Sequence, residues 1–312
     1  MFGRFFGHKD KKPALCPVLA PAVSDAILGT LGAGSIATMP AAAQKAFQLS
    51  IDPDATARDF RDVIESDEGI SARVLKIANS VYFDRGQPSQ TIEESVVVIG
   101  LNELRCLLNA TTISELFPSR NPARPQLWIN DMACAIIARK LAGRLLPSRQ
   151  DMAFLGGLMH DIGKLLLLQR SPEQYAEVLK KVEGSGCSFS EAEGQVYTFD
   201  HTEVGQLIAE RWHFSPELTA SIRNHHRPFG ELAGEGGSPG LCAIIKSADT
   251  ISHALGLGHQ RGFTRLRNKS LEALEGVWEH IQVGSAERKD FLAQCERDFS
   301  MEQDLYASRN AS

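Results

Sequence analysis

The sequence predicts an all-α fold. Three observations carry this expectation. Apolar residues recur at three- and four-residue spacing almost throughout, the starts of these segments carry capping residues, and strand-like alternation extends over no useful length. The one β-rich run, Val96-Val97-Val98-Ile99, is short and falls inside a segment that Thr91 has already opened as helix. With 312 residues, 43% of them hydrophobic, the chain can bury at least one sizeable core.

Residues 1–25 read as a flexible tail. Met1 to Lys12 mixes Phe2, Phe5 and Phe6 with Arg4, Lys9, Lys11 and Lys12, and Pro13, Pro17 and Pro21 interrupt the apolar stretch that a secretory leader needs. A peripheral membrane contact is the alternative. Thr56 and Asp59 then resemble a capping box ahead of the face marked by Phe60, Val63 and Ile64. Thr91 and Glu94 repeat the device before Val97, Val98 and Leu101. Pro118, Asn121, Pro122 and Pro125 disfavour helix and mark a joint between two helical regions.

Beyond the joint, a helix is expected at 128–143, and a further core element runs from Phe154 to Leu168. Ser171-Pro172 and Ser215-Pro216 each place a capping hydroxyl before a proline suited to the first helical turn. Val204, Leu207 and Ile208 mark a helix headed by Asp200 and His201. Leu241, Ile244 and Ile245 mark another, after a loop at Gly230 to Gly240. A further break lies near Gly256 to Gly262. Leu271, Leu274, Val277, Trp278 and Ile281 then follow amphipathic spacing, and Phe291, Cys295 and Phe299 suggest a last helix that packs back onto the body. The expected organisation is a main domain over 26–258, divided into 26–120 and 121–258, followed by a helical extension over 259–312.

A net charge of −5 and a pI near 6.0 supply no overall positive field, so neither nucleic acid nor an anionic membrane is favoured as a partner. Six cysteines are widely scattered and form no C-x-x-C pair, which argues against a zinc ribbon or a disulfide scaffold. No apolar stretch approaches the roughly 20 residues that span a bilayer. A soluble, cytoplasmic protein is therefore expected.

The chemically informative residues are ionisable groups on apolar helix faces, where burial is costly without a partner. His160 and Asp161 interrupt a core segment. His225 and His226 follow Ile222 at i+3 and i+4, Asp249 follows Ile245 at i+4, and His201 stands at a helix head. Each has a structural explanation on its own. Asp161 can cap the helix after it, Asp249 can pair with His253, and a lone inward histidine is more often a satisfied core residue than a ligand. Pooled on one bundle, however, they form the nitrogen and oxygen set that divalent metals prefer.

Gly157-Leu158-Met159-His160-Asp161-Ile162-Gly163-Lys164 resembles the signature of the HD superfamily of metal-dependent phosphohydrolases. His160 and Asp161 match its His-Asp doublet, and Asp249 matches its distal Asp. His201, His225 and His226 match second-metal positions of the HD-GYP branch, which shares Lys164. The first His of the pattern should follow a Trp, and here Trp128-Ile129 leads to Asn130, a weak amide donor. His225-His226 is followed by Arg227-Pro228-Phe229-Gly230, so the Gly-Tyr-Pro signature is missing as well. The block from Asp67 to Ser80, with Tyr82, Ile92 and Val96 to Leu101, and Met39-Pro40 ahead of it, resembles HDOD domains. The likeness runs from about residue 30 to 255.

This resemblance implies an HD-superfamily helical bundle with an N-terminal helical subdomain. It also implies metal ligation by His160, Asp161, His201, His225, His226 and Asp249, with Fe, Mn, Mg or Zn as the ion. For Asn79 and Ser80, a helix stop is preferred to a ligand contact. Two functions stay open. One is a bacterial signal-transduction module without catalysis, which binds a regulatory protein partner or a nucleotide and which the loss of the first His favours. The other is a divalent-metal-dependent phosphohydrolase acting on a phosphomonoester or phosphodiester, such as a nucleotide or cyclic dinucleotide. In that case Lys164 would meet the substrate phosphate.

Overall fold

The computed structural model describes residues 16–306 apart from 37, 40, 53, 84, 233–239 and 259–261. The regular elements among them are helices: α1 (Pro21–Leu31), α2 (Ala41–Ile51), α3 (Ala57–Glu65), α4 (Glu68–Ala78), α5 (Ile92–Ile99), α6 (Leu101–Leu116), α7 (Arg124–Leu145) and α8 (Gln150–Met159). They continue with α9 (Ile162–Arg170), α10 (Pro172–Ser185), α11 (Phe189–Val196), α12 (His201–Arg211), α13 (Pro216–Asn224), α14 (Leu241–Leu255), α15 (Thr264–Ile281) and α16 (Arg288–Tyr306). Short 3-10 turns lie at Val81–Phe83, Pro147–Arg149 and Phe229–Glu231. The fold is all-α, and Val96 to Ile99 lie within α5.

Local chemistry explains most of the boundaries. Thr56 and Thr91 close reciprocal capping boxes with Asp59 and Glu94, and Ser215 accepts from the Leu218 amide. Asn79 ends α4, and its amide side chain then clamps the following loop. Its Nδ2 donates to the Ser89 carbonyl at 2.9 Å, and its Oδ1 accepts from the Ser89 amide at 2.7 Å. Ser171, expected to cap α10, does not. Its ψ of 60° departs from the extended backbone that aims a capping side chain forward, because Ser171 must also end α9. Its hydroxyl turns back to the Leu167 carbonyl at 3.1 Å and meets the Tyr197 hydroxyl at 2.9 Å.

Within the stretch expected as a tail over residues 1–25, the described residues from 17 onward pack on the body. Leu19 is buried and its amide donates to Glu210 Oε1 at 3.0 Å, Gln206 Nε2 donates to the Pro17 carbonyl at 2.7 Å, and α1 starts at Pro21. The run from Met1 to Lys12, Pro40, residues 233–239 of the expected Gly230 to Gly240 loop and residues 259–261 of the next break lie outside the described residues.

The central element is α7, which is surrounded by other helices and buried along most of its length, its polar Asn130 and Asp131 included. α8 and α14 pack closely along it. At Gly157 a Cβ would lie 2.7 Å from Ala135 Cα, so only a glycine permits this approach of α8 to α7. One continuous apolar core runs from Ile27, Phe60 and Leu104 through Phe154 and Leu158 to Leu207 and Ile222. The segments on either side of the Pro118 to Pro125 joint thus share a core. Arg124 ties them together by donating to the carbonyls of Phe117 at 3.1 Å and Ser114 at 3.2 Å. A second cluster, with Ile137, Ile251, Val277, Trp278 and Phe291, seats α15 and α16 against α7 and α14.

Candidate metal centre

The His160-Asp161 pair occupies the turn between α8 and α9. Gly163, one residue into α9, is required there for a steric reason, since a Cβ would fall 2.0 Å from the His201 carbonyl oxygen. α9 and α12 therefore meet backbone to backbone, which brings the first residue of α12, His201, against Asp161. His225 and His226 sit at the C-terminal end of α13, and Asp249 lies in the middle of α14. All six residues expected as ligands come together. Asp161 Oδ1 lies 3.1 Å from His201 Nε2 and 3.7 Å from His225 Nε2. His160 Nε2 lies 3.3 Å from Asp161 Oδ2 and 3.4 Å from Asp249 Oδ1, and His201 Nε2 meets His226 Nε2 at 3.0 Å. His226 is the exposed member, at the rim.

The histidines are oriented by acceptors behind them. The Nδ1–H of His160 donates to the Gly157 carbonyl at 2.7 Å, and that of His225 to the Ile222 carbonyl at 2.8 Å. A carbonyl oxygen only accepts, so Nδ1 carries the proton and Nε2 is directed into the cluster. His201 is held by a carboxylate instead. Glu193 of α11, fully buried, accepts from His201 Nδ1 at 2.6 Å and from its backbone amide at 2.7 Å, while its other oxygen accepts from the Tyr175 hydroxyl at 3.2 Å. This carboxylate–histidine arrangement orients metal-binding imidazoles in general. The sequence reading missed Glu193, which follows the first-turn acid Glu191 of a short helix and carries no local sign that it is buried.

The reading also missed Asp131. This residue of α7 is buried, and its donor atoms lie within 4.8 Å of those of His160 and Asp161. A second group of the same tightness consists of Asp161, His201, His225 and His226, so Asp161 belongs to both. Asn130, expected at the place of the missing first His, donates from Nδ2 to Ser252 Oγ and to the Leu257 carbonyl, each at 3.1 Å. Its amide thus pins the C-terminal end of α14 to α7.

Five side-chain atoms at this centre are buried without any hydrogen-bond partner: Asp131 Oδ2, His160 Nε2, Asp161 Oδ1, His225 Nε2 and Asp249 Oδ1. Buried polar atoms are normally satisfied, and five orphans converging from α7, two helix turns and α14 have the chemistry of a donor set for cations. The residues therefore fit a divalent metal.

Electrostatics agree. Burial opposes the Asp161 and Asp249 carboxylates, yet the surrounding His160, Lys164 and His201 for the former, and His253 and His160 for the latter, hold both well below the usual range. Burial works against His160 and His201 as well. Asp161 nevertheless lifts His160 well above its ordinary value, and Glu193 with Asp161 lifts His201 to about 9. Burial and the neighbouring His160 push His225 down to about 3. Burial and repulsion from Asp161 push Asp131 up to about 8. Lys164 is buried, pairs with Asp161 Oδ2 and places its ammonium 4.1 Å from the Phe189 ring centroid.

The HDOD domain profile matches residues 36–228. An uncharacterized protein of Treponema pallidum (strain Nichols) is 25% identical over 179 residues, 56% of this chain and 34% of its own length, so the chain spans about a third of that relative. Among solved structures, an HDOD domain protein of unknown function from Geobacter sulfurreducens shares the fold with a TM-score of 0.64 at 20% identity, covering 88% of this chain and 96% of that one. A protein from Shewanella amazonensis SB2B, provisionally assigned as a phosphohydrolase, gives 0.67 at 23% identity over 92% and 98% of the two chains. One from Marinobacter aquaeolei VT8, provisionally assigned to signal transduction, gives 0.69 at 20% identity over 90% and 59%. No single helix among the described residues is long and apolar enough to cross a membrane.

Proposed function

This chain belongs to the HDOD family, and on that premise we propose that it is a bacterial signal-transduction module whose HD core holds a divalent metal centre in a regulatory rather than a catalytic role. The observation that carries the metal reading is the convergence of five buried, unpartnered donor atoms around Asp161. Asp161, His201, His225 and His226 would hold one ion, and His160 and Asp249, with Asp161 shared, a second. The ion would supply positive charge to a pocket crowded with buried carboxylates and would fix the relation of α9, α12, α13 and α14. Fe, Mn, Zn and Mg all suit some of these donors, and the imidazole-rich group favours the transition metals.

The regulatory reading is supported by how closed the centre is. His160, His201 and His225 are fully buried, and the Lys164 ammonium is already paired with Asp161. The cavity that reaches Lys164 is small, about 10 Å³ or room for roughly one water molecule, and is lined largely by apolar side chains such as Leu127, Leu179, Phe189 and Phe263. Closed coordination is typical of structural rather than catalytic metal sites. The proposed partner is a regulatory protein, with a nucleotide ligand as the alternative, and the scattered free thiols suit a cytoplasmic setting.

One observation favours the second reading, a metal-dependent phosphohydrolase: exposed His226 leaves one edge of the centre open to solvent. In that reading the side chains around Asp161 would hold an ion able to supply an activated water and to polarise a phosphoryl oxygen, and Lys164 would contribute a point charge.

Metal analysis of protein purified without chelators tests the primary reading. Bound metal that Asp161→Ala removes, with the helical circular-dichroism signal retained, is expected. Metal-free protein that takes up no Mn²⁺, Fe²⁺ or Zn²⁺ on titration would overturn it. Turnover of nucleotides, cyclic dinucleotides or phosphate esters by wild type but not by folded Asp161→Ala would replace the regulatory reading with the enzymatic one.

A further inference from the structure

The helix that should carry the first imidazole of the ligand pattern carries a carboxylate one residue later. Asn130 is committed to holding α14, and it cannot easily turn inward. The chain at Gly258 lies so close to α7 that a Cβ there would fall 2.4 Å from the Asn130 backbone nitrogen. One residue on is a rotation of about 100° around the helix, and this step brings Asp131 to the His160-Asp161 turn.

The Asp131 carboxylate is 1% exposed. Its Oδ2 has no hydrogen-bond partner, and neither have Nε2 of His160 and Oδ1 of Asp161, the two residues whose donor atoms group with its own. The cation nearest in sequence, Arg124, spends its guanidinium on the Phe117 and Ser114 carbonyls and lies over the Trp128 ring. A buried carboxylate left in this state is costly, and the cost is relieved by a cation shared with His160 and Asp161.

We infer that Asp131 replaces the missing imidazole as a metal ligand and turns that half of the centre into a position for a hard ion. The inference rests on the metal reading above. With Asp131 and Asp161, and with Asp249 beside His160, the donors at this position are mainly carboxylate oxygens, which suit Mn²⁺ or Mg²⁺. The other group, with three imidazoles and Asp161, suits Zn²⁺ or Fe²⁺. The centre is then asymmetric, with two positions that differ in the ion each prefers.

The test is calorimetric titration of chelator-treated full-length protein with Mn²⁺ alone and with Zn²⁺ alone, backed by elemental analysis of the bound metal. Wild type, Asp131→Asn and Asp131→His are compared. Wild type is expected to bind Mn²⁺ and Zn²⁺ in two classes of site. Asp131→Asn should weaken Mn²⁺ binding at least tenfold and leave one Zn²⁺ equivalent in place. Asp131→His should shift the affected position toward Zn²⁺ by tenfold or more, which gives a gain-of-affinity readout should the Asn variant be poorly folded. Metal binding by wild type that neither substitution alters would overturn the assignment of Asp131 and leave the metal reading standing. Failure of wild type to bind either ion would overturn both.

Discussion

Replacing Glu193 by Gln tests whether the buried carboxylate behind His201 controls the charge of the cluster. In the metal-free protein Glu193 is the strongest charge acting to raise His201, which burial alone would push down. The rise of His201 from 6.5 to about 9 corresponds to about 3 kcal/mol of folding free energy. Because the folded value lies above the unfolded one, this stabilisation is fully present below pH 6.5 and is lost as the pH rises through about 9. A glutamine keeps the shape and one acceptor but not the charge. In urea unfolding with chelator present, wild type should therefore exceed Glu193→Gln by about 3 kcal/mol more at pH 6 than at pH 9.5. Histidine NMR should show the His201 titration falling in the variant. A stability difference that does not change between pH 6 and pH 9.5 would refute the argument and reduce Glu193 to a hydrogen-bonded core residue.

Metal affinity should rise steeply from pH 6 toward pH 9, because an incoming ion must displace the proton that Glu193 and Asp161 hold on His201 up to about 9; competition against a coloured chelator at several pH values measures it. Gly163→Ala should drive α9 away from α12 against the His201 carbonyl, costing about 1–3 kcal/mol by thermal unfolding and lowering metal content. Arg105 donates to the carbonyls of Leu49 at 2.9 Å, Ser50 at 3.1 Å and Asp52 at 2.7 Å at the end of α2. Arg105→Ala should cost about 3 kcal/mol in chemical unfolding, with Arg105→Lys recovering little of it because an ammonium lacks the planar fork. Asn130→His should not raise metal occupancy, since it removes two hydrogen bonds to α14 before it can reach the cluster, and a loss of about 2 kcal/mol in stability is expected.

Helices, their caps and the candidate ligands could be read from the sequence because their determinants are close neighbours along the chain. Thr56 and Asp59, Thr91 and Glu94, and Ser215 and Leu218 each meet within one turn, so spacing alone specifies them. The His160-Asp161 pair and the inward positions of His225 and Asp249 follow from apolar periodicity in the same way, and their resemblance to a known ligand pattern supplied the idea of a shared centre.

Only the tertiary structure decided what those residues face. Asp131 and Asn130 are adjacent on α7, and nothing within one turn shows which of them meets His160. That depends on Ser252 and on Leu257 and Gly258 after α14, more than a hundred residues away, which claim the amide and leave the carboxylate to the cluster. The pairing of Glu193 with His201 likewise depends on how α11 packs beside α12, and the failure of Ser171 to cap depends on Tyr197 waiting for its hydroxyl. A sequence states which groups are present and which face of a helix they share. The partner that a buried polar group finds is set by helices packed from elsewhere in the chain, because inside the core no water is at hand to satisfy it.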